Sequence, residues 1–359
     1  MATLADRYIR RSLRINRAAV GEAAVSSKIL REVIGRVNSI VDNVVNGRIN
    51  RLEAEIRIQQ ELLEVYRGRL IPKIVRDARE IINLETAWVA DTISDFTDRT
   101  IASSGLAAIF DRTQNQTYQG RTFSEWFERE GVRNVSAVNR TIRSSFIEGL
   151  SVAATQRAVE NVIGFSDTHV RTLTRSNLLN ASAEVRDDFL NENQDLIEGS
   201  IWNSTLDVRT TPHICGVRDQ KRYDAEKNPI DHEFAYGEGP GRIHFNCRSI
   251  EIPILPGIST ATAQRPAIGA GKEYERGDKF TRRGTVRKPG RREVNKGMFD
   301  ITQRTNRTRF EGWLRSQPVS FIADNFGSLQ RAREFKRGAS LASVTGADPL
   351  GLPMNLSDL

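Results

Sequence analysis

Leu206-Asp207-Val208-Arg209-Thr210-Thr211-Pro212-His213-Ile214-Cys215 and Gly239-Pro240-Gly241-Arg242-Ile243-His244-Phe245-Asn246-Cys247-Arg248-Ser249 hold the only two cysteines of a 359-residue chain. Each cysteine has a histidine two or three positions before it, and both segments are dense in turn-forming residues. On the outer side of the first, Gly199 to Leu206 is β-prone, with Ile201, Trp202 and Thr205. On the outer side of the second, Ile250 to Leu255 alternates as a strand does. Pro253 has no amide proton to give to a ladder, so this strand is expected at a sheet edge. The reading is a small β- and loop-rich Cys-His patch, with a long loop rich in Gly, Pro, Asp and His between its strands.

Outward from the patch the pattern is helical. Residues 1–20 read as a short basic helix or arm, with Arg7, Arg10, Arg11, Arg14 and Arg17 against Asp6. From Ser27 to about Asn46, Leu30, Val33, Val37, Ile40, Val41 and Val44 recur at helical spacing. A second helix carries Leu52, Ile56, Leu63 and Leu70 on one side and alternating charges on the others, and Pro72 restarts it. Helical pattern runs on to about Phe96, so the first 97 residues read as an extended hairpin or stalk. Residues 98–118 are turn-rich. Residues 122–177 read as several short helices, with Ser124, Ser151 and Ser166-Asp167 as starts, and Leu173 to Phe189 continues helically. After a Gly-, Ser-, Thr- and Arg-rich stretch over 257–297, helices return from Arg307 to Arg315 and from Ser320 to Lys336. The expected class is α+β and mostly helical. Four regions are expected: a basic arm with long helices over 1–97, a core domain over 98–256, a flexible basic linker over 257–297, and a C-terminal helical segment over 298–359 that packs on the core.

Composition narrows the function classes. The chain carries 53 Lys and Arg against 45 Asp and Glu, a net +8. The excess is concentrated: residues 272–296 hold ten basic and four acidic side chains. Arg282, Arg283, Arg287, Lys288, Arg291 and Arg292 are therefore candidate phosphate contacts for non-sequence-specific DNA binding. Aromatic residues are sparse there, so base stacking is not expected. No run of about 18 apolar residues is present, which argues against a membrane span.

Three chemistries suit the patch. Zinc takes about four nitrogen or sulfur ligands, and Cys215, His244, Cys247 and His213 offer that set, with His232 as a substitute. A Cys215–Cys247 disulfide would stabilise the fold by about 3–4 kcal/mol in the chain-entropy picture. Two buried free thiols, with His244 hydrogen-bonded in its loop, are the third. Asp207 beside a turn suits backbone capping, and the guanidinium fork of Arg248 suits a carboxylate such as Asp207 or Asp219. The sequence contains no nucleophile elbow, Walker loop or metalloprotease helix, and Gly237 to Gly241 lacks the Lys-Ser/Thr ending of a phosphate loop. No enzyme activity is expected.

Asp207-Val208-Arg209-Thr210, followed by Cys215, Asp219 and Tyr223 and then by His244-Phe245-Asn246-Cys247-Arg248-Ser249, resembles the signature of the Mu F-like head morphogenesis family of phage minor head proteins. Arg171-Thr172-Leu173-Thr174-Arg175 is similar to the helix before that signature. Trp313-Leu314, Gln317-Pro318, Phe321, Gly327, Ala332, Phe335 and Gly338 are similar to the family's C-terminal segment. The resemblance spans roughly residues 140–350 in separate blocks. It departs at Thr211 and Ser249, where many members have further cysteines, and at Gln220, where a glycine is usual. With two cysteines, a four-cysteine zinc site is excluded. The resemblance implies a structural virion protein at the portal vertex inside the head, made in the host cytoplasm, which aids head assembly, DNA packaging or DNA ejection. It implies the portal protein as partner, together with scaffold, major capsid protein and genomic DNA. The long N-terminal helices are the candidate surface for portal docking or self-association. Among the motif residues, Asp207, Arg209, Asp219, Asn246 and Arg248 read as structural. The alternative is a stand-alone DNA-binding or ejection protein acting through the 272–296 arm.

Overall fold

The computed structural model describes residues 2–260, 263–271, 274 and 299–347. It is α+β and mostly helical, as the periodicity predicts. Seven helices come first: α1 (Leu4–Arg31), α2 (Val33–Val45), α3 (Arg51–Glu64), α4 (Ile71–Thr97), α5 (Leu106–Asn115), α6 (Phe123–Ile147) and α7 (Val152–Glu192). A π-helical segment, Val65–Leu70, joins α3 to α4, and Pro72 sits in the first turn of α4, where its missing amide proton costs no helical bond.

The basic arm expected over residues 1–20 is the first part of a 28-residue helix. Its start is a capping box: Thr3 Oγ1 accepts the Asp6 amide at 3.1 Å, and Asp6 accepts the Thr3 amide at 3.1 Å. The arginines take one side of α1, while Leu4, Ala5, Tyr8 and Ile15 are buried in one core with Ile82 and Val89 of α4 and Leu178 and Val185 of α7. The first 97 residues thus share a core with the rest of the chain, and a separate stalk is not what forms.

The several short helices expected over 122–177 are two long ones. Thr122, not Ser124, caps α6, in a capping box with Glu125. Ser151 caps α7 as read. Ser166 and Asp167, read as a second start, lie inside α7. Asp167 spends its carboxylate on Arg31 (2.8 Å) and Arg171 (3.2 Å) instead of on a helix end. The same short acidic side chain serves either purpose, and sequence spacing does not distinguish them. The last turns of α7 are enclosed by neighbours, so their polar residues are buried in pairs. Ser182 and Arg186 both reach Glu85 at 3.0 Å, Arg112 and Arg242 hold Glu184 at 2.9 and 2.7 Å, and Asn177 donates to the Ile74 carbonyl at 3.0 Å.

Past α7 the chain makes two small sheets. Strands β1 (Gly199–Asn203), β3 (Arg222–Asp224), β4 (Pro229–Ile230) and β5 (Ile250–Ile254) form one antiparallel sheet in the order β4-β3-β1-β5. β5 is an edge strand with Pro253 opposite Ser200, as its missing donor requires. β2 (Leu206–Asp207), β6 (Gln264–Ala270) and β7 (Phe299–Thr305) form the second, with β2 parallel to β6 and β6 antiparallel to β7. Two residues, Ser204 and Thr205, carry the chain from one sheet to the other.

Strand β6 corrects one part of the flexible linker expected over 257–297: residues 264–270 form the middle strand of a sheet, with Arg265 buried, while residues 261–262, 272–273 and 275–297 lie outside the described residues. Four short helices follow, Phe310–Ser316, Val319–Phe326, Leu329–Lys336 and Leu341–Thr345. The single helix expected from Ser320 to Lys336 is split at Gly327, which adopts the left-handed φ of 67° that ends a helix. Phe310, Trp313, Phe321 and Phe335 from these helices make one core with Leu206, Val208 and Ala267. No helix among the described residues is long and apolar enough to cross a membrane.

Candidate functional site

Both cysteine segments are tight turns that force their sulfurs inward. In Pro212–Gly216 the amides of Ile214, Cys215 and Gly216 all point at the Thr211 carbonyl, at 3.3, 2.9 and 3.0 Å, making a single π-turn. Gly216 is required there, because a Cβ would lie 2.7 Å from the Phe310 ring. In the second segment the Cys247 amide donates to the His244 carbonyl at 3.0 Å, and Asn246 takes a left-handed φ of 58°. The Asn246 amide donates to Ser176 Oγ of α7 at 2.8 Å, which fixes the turn to the long helix.

The two turns bring Cys215 Sγ within 3.7 Å of Cys247 Sγ and within 3.0 Å of His244 Nε2. The two sulfurs and an imidazole nitrogen all lie within 4.8 Å of one another, an arrangement able to hold a metal ion. Both thiols are free and almost fully buried, and Trp202, Tyr223, Tyr236 and Ile243 share their core cluster. His244 Nδ1 is 2.9 Å from the Phe245 carbonyl, which makes Nδ1 the donor and leaves Nε2 with its lone pair towards sulfur.

The charges in this cluster are coupled. Burial pushes the Cys215 thiol up, and its contact with Cys247 adds to that. Burial also acts to raise Cys247, yet the Cys215 hydrogen bond and the charge of His244 bring it well below the ordinary thiol range. The Gly241 amide, which donates to Cys247 Sγ at 3.3 Å, favours the thiolate at that sulfur. Burial lowers His244, but the Cys247 charge outweighs it and the imidazole is raised.

His213, named with these three as a ligand, does not join them. It is exposed on the outer side of the π-turn, because a two-residue spacing places it and Cys215 on different sides of that turn. His232, its substitute, is bound elsewhere: its Nε2 is 2.8 Å from the Arg222 carbonyl and its ring packs on Tyr223.

Arg248 grips Asp207 through both guanidinium nitrogens, Nη2 to Oδ1 at 2.7 Å and Nη1 to Oδ2. Asp207 Oδ1 also accepts the Arg209 amide at 2.9 Å, closing the turn after β2. Asp219 takes a partner absent from the sequence reading. Its oxygens accept Arg265 at 2.8 and 2.7 Å, the Ser204 amide at 2.8 Å and the Phe310 amide at 2.6 Å. Arg265 lies in the stretch read as a linker, and the clue was a period of two in Ala263, Arg265, Ala267 and Gly269, broken by a charge at an inward position. Arg209 is exposed at the rim. Arg282, Arg283, Arg287, Lys288, Arg291 and Arg292 lie outside the described residues. Compared with protein-family models, curated proteins and solved structures, the chain matches none.

Proposed function

We propose that the protein is a structural minor component of a tailed-phage head, bound at the portal vertex, and that it acts by association and not by catalysis. One observation carries this reading. The blocks that resemble the head morphogenesis signature are separated by up to about a hundred residues in sequence, yet they form one contiguous body. Asp207 is clamped by Arg248, Cys215 meets His244 and Cys247, and Phe310 and Trp313 pack on Leu206 and Val208. A chance likeness of scattered strings carries no reason for its pieces to touch.

The docking surface we propose lies where α3 and α6 run antiparallel, held by Arg143 on Glu55 at 2.8 and 2.6 Å. Leu52 and Ile56 of α3 and Phe146 and Ile147 of α6 are exposed at the same end of that pair, Ile147 at 87 %. Exposed apolar side chains clustered at one place suit a protein partner.

We further propose zinc as the ion at Cys215, His244 and Cys247. With Zn–S bonds of about 2.3 Å, a tetrahedral edge between two sulfurs is about 3.8 Å, close to the 3.7 Å seen here. The His244 tautomer already points a lone pair inward. Bound zinc would tie the loop of β2 to the loop before β5 and stabilise the body that presents the docking surface.

Co-expression of the full chain with the portal protein of the same genome tests the main reading. Stable co-elution, lost when Leu52 and Ile147 become Glu, is the expected result. A portal that assembles and elutes without this chain, with heads that package DNA normally in its absence, overturns it.

A further inference from the structure

Cys215, His244 and Cys247 supply three donors, and zinc takes about four. Among the described residues no further His, Cys, Asp or Glu joins the three. Asp207 and Asp219, the acids of the same loops, are engaged by Arg248 and Arg265. Two thiolates already cancel the charge of a divalent cation, so the fourth donor need carry none.

Ser249 places a neutral oxygen beside the sulfurs. It is buried, its hydroxyl hydrogen-bonds to Cys215, and its amide hydrogen-bonds to Cys247. The same hydroxyl lies 3.2 Å from Ser204 Oγ. Ser249 thus has one proton and two places to put it, Cys215 Sγ or Ser204 Oγ. Ser204 accepts the Trp202 indole N–H at 3.1 Å and gives its single proton to the Cys215 carbonyl at 2.7 Å. It has no proton left for Ser249, so between the two hydroxyls Ser249 is the donor. Once a cation takes the lone pair of Cys215, Ser204 remains as the acceptor. Ser249 Oγ then keeps its own lone pairs for the ion.

We propose that Ser249 Oγ is the fourth donor of the centre, completing a set of two thiolates, one imidazole and one neutral hydroxyl. The inference rests on the zinc reading of the site. An alcohol oxygen is the same kind of donor as the water that fills the fourth position of three-ligand zinc sites, but here the chain delivers it. A shell closed by the protein leaves no position for a substrate, which makes the centre structural. It also fastens the sheet directly, because β5 begins at Ile250, the next residue, and Ser204 joins β1 to β2. His244 lines a cavity of about 320 Å³ bounded by Thr210, Thr211 and Asn246, which gives an ion a route to the sulfurs.

Zinc affinity of the full chain, measured by competition with a chromophoric chelator, and absorption spectra of its cobalt form test the assignment. Ser249→Ala should weaken zinc binding roughly tenfold or more. Ser249→Cys should tighten it, and its cobalt spectrum should gain the sulfur-to-metal intensity of a third thiolate. The cysteine variant decides the matter even if Ser249→Ala does not fold, and urea unfolding of the metal-free proteins separates a lost fold from a lost ligand. Unchanged zinc affinity in folded Ser249→Ala, or a cobalt spectrum of Ser249→Cys that still reports two thiolates, overturns Ser249 as the donor and leaves water in its place. A parent chain that takes up neither zinc nor cobalt overturns the metal centre itself.

Discussion

Replacing Asp219 with alanine is the sharpest single perturbation of this fold. The carboxylate is buried and, among the described residues, is the only acidic partner of Arg265, itself 2 % exposed. It also accepts the Ser204 amide between the two sheets and the Phe310 amide at the start of the C-terminal helices. Truncation leaves a buried guanidinium with neutral partners only, namely Asn203 Oδ1 at 3.1 Å, the Ser204 carbonyl at 2.9 Å and the Thr308 carbonyl. Breaking one side of a buried ion pair costs about 3–5 kcal/mol, or roughly two to four decades in the unfolding equilibrium. The loss should be felt first where Phe310 docks. Urea unfolding followed by tryptophan fluorescence reads it, since Trp202 and Trp313 lie on the two sides of this contact. Removing both charges, as Asp219→Leu with Arg265→Met, should recover more than half of what Asp219→Ala loses, because no unpaired charge stays buried. If Asp219→Ala costs less than about 1 kcal/mol, or if the two single effects simply add, the reasoning about this pair is wrong.

Three further outcomes follow from the site. The purified protein should carry one zinc per chain, Cys247→Ser or His244→Ala should abolish it, and a thiol reagent should react with both cysteines only after chelation or unfolding; full thiol reactivity of the untreated protein would sink the metal centre. Gly216→Ala should cost about 1–3 kcal/mol, since its Cβ meets the Phe310 ring and a packed core yields little; an unchanged urea midpoint refutes that contact. Acid should loosen the Asp207–Arg248 clamp. Burial works to raise the Asp207 carboxyl, but the Arg248 charge and hydrogen bonds hold it below its ordinary 3.8. A depressed folded-state pKa contributes stability above pH 3.8 that is lost as pH falls through the lower folded value. Unfolding free energy measured against pH should therefore fall less steeply below that point in Asp207→Asn than in the parent; parallel curves would remove Asp207 from the account.

Much of the architecture was legible in the chain because helices and edge strands are local matters. The spacing of Leu30, Val33, Val37 and Val41 dictates an amphipathic helix wherever it sits, Ser151 can cap the helix that follows it, and Pro253 cannot lie inside a ladder. The same reasoning singles out Cys215, His244, Cys247, Asp207 and Arg248, because sulfur, imidazole and paired charges have few bland uses in a buried turn. What local pattern lacked was the third dimension. Whether Asp167 caps a helix or pairs with Arg31 depends on a helix more than a hundred residues away. Arg265 looked like linker charge until β6 was seated beside β2 and its guanidinium met Asp219. His213 was lost as a ligand through the sense of one π-turn, and Ser249 meets Cys215 only because two turns distant in sequence converge. Residue type and period act over a few residues and follow from the sequence by itself. Partner choice among buried charges is set by which segments the hydrophobic cores bring together, and that was decided only by the tertiary structure.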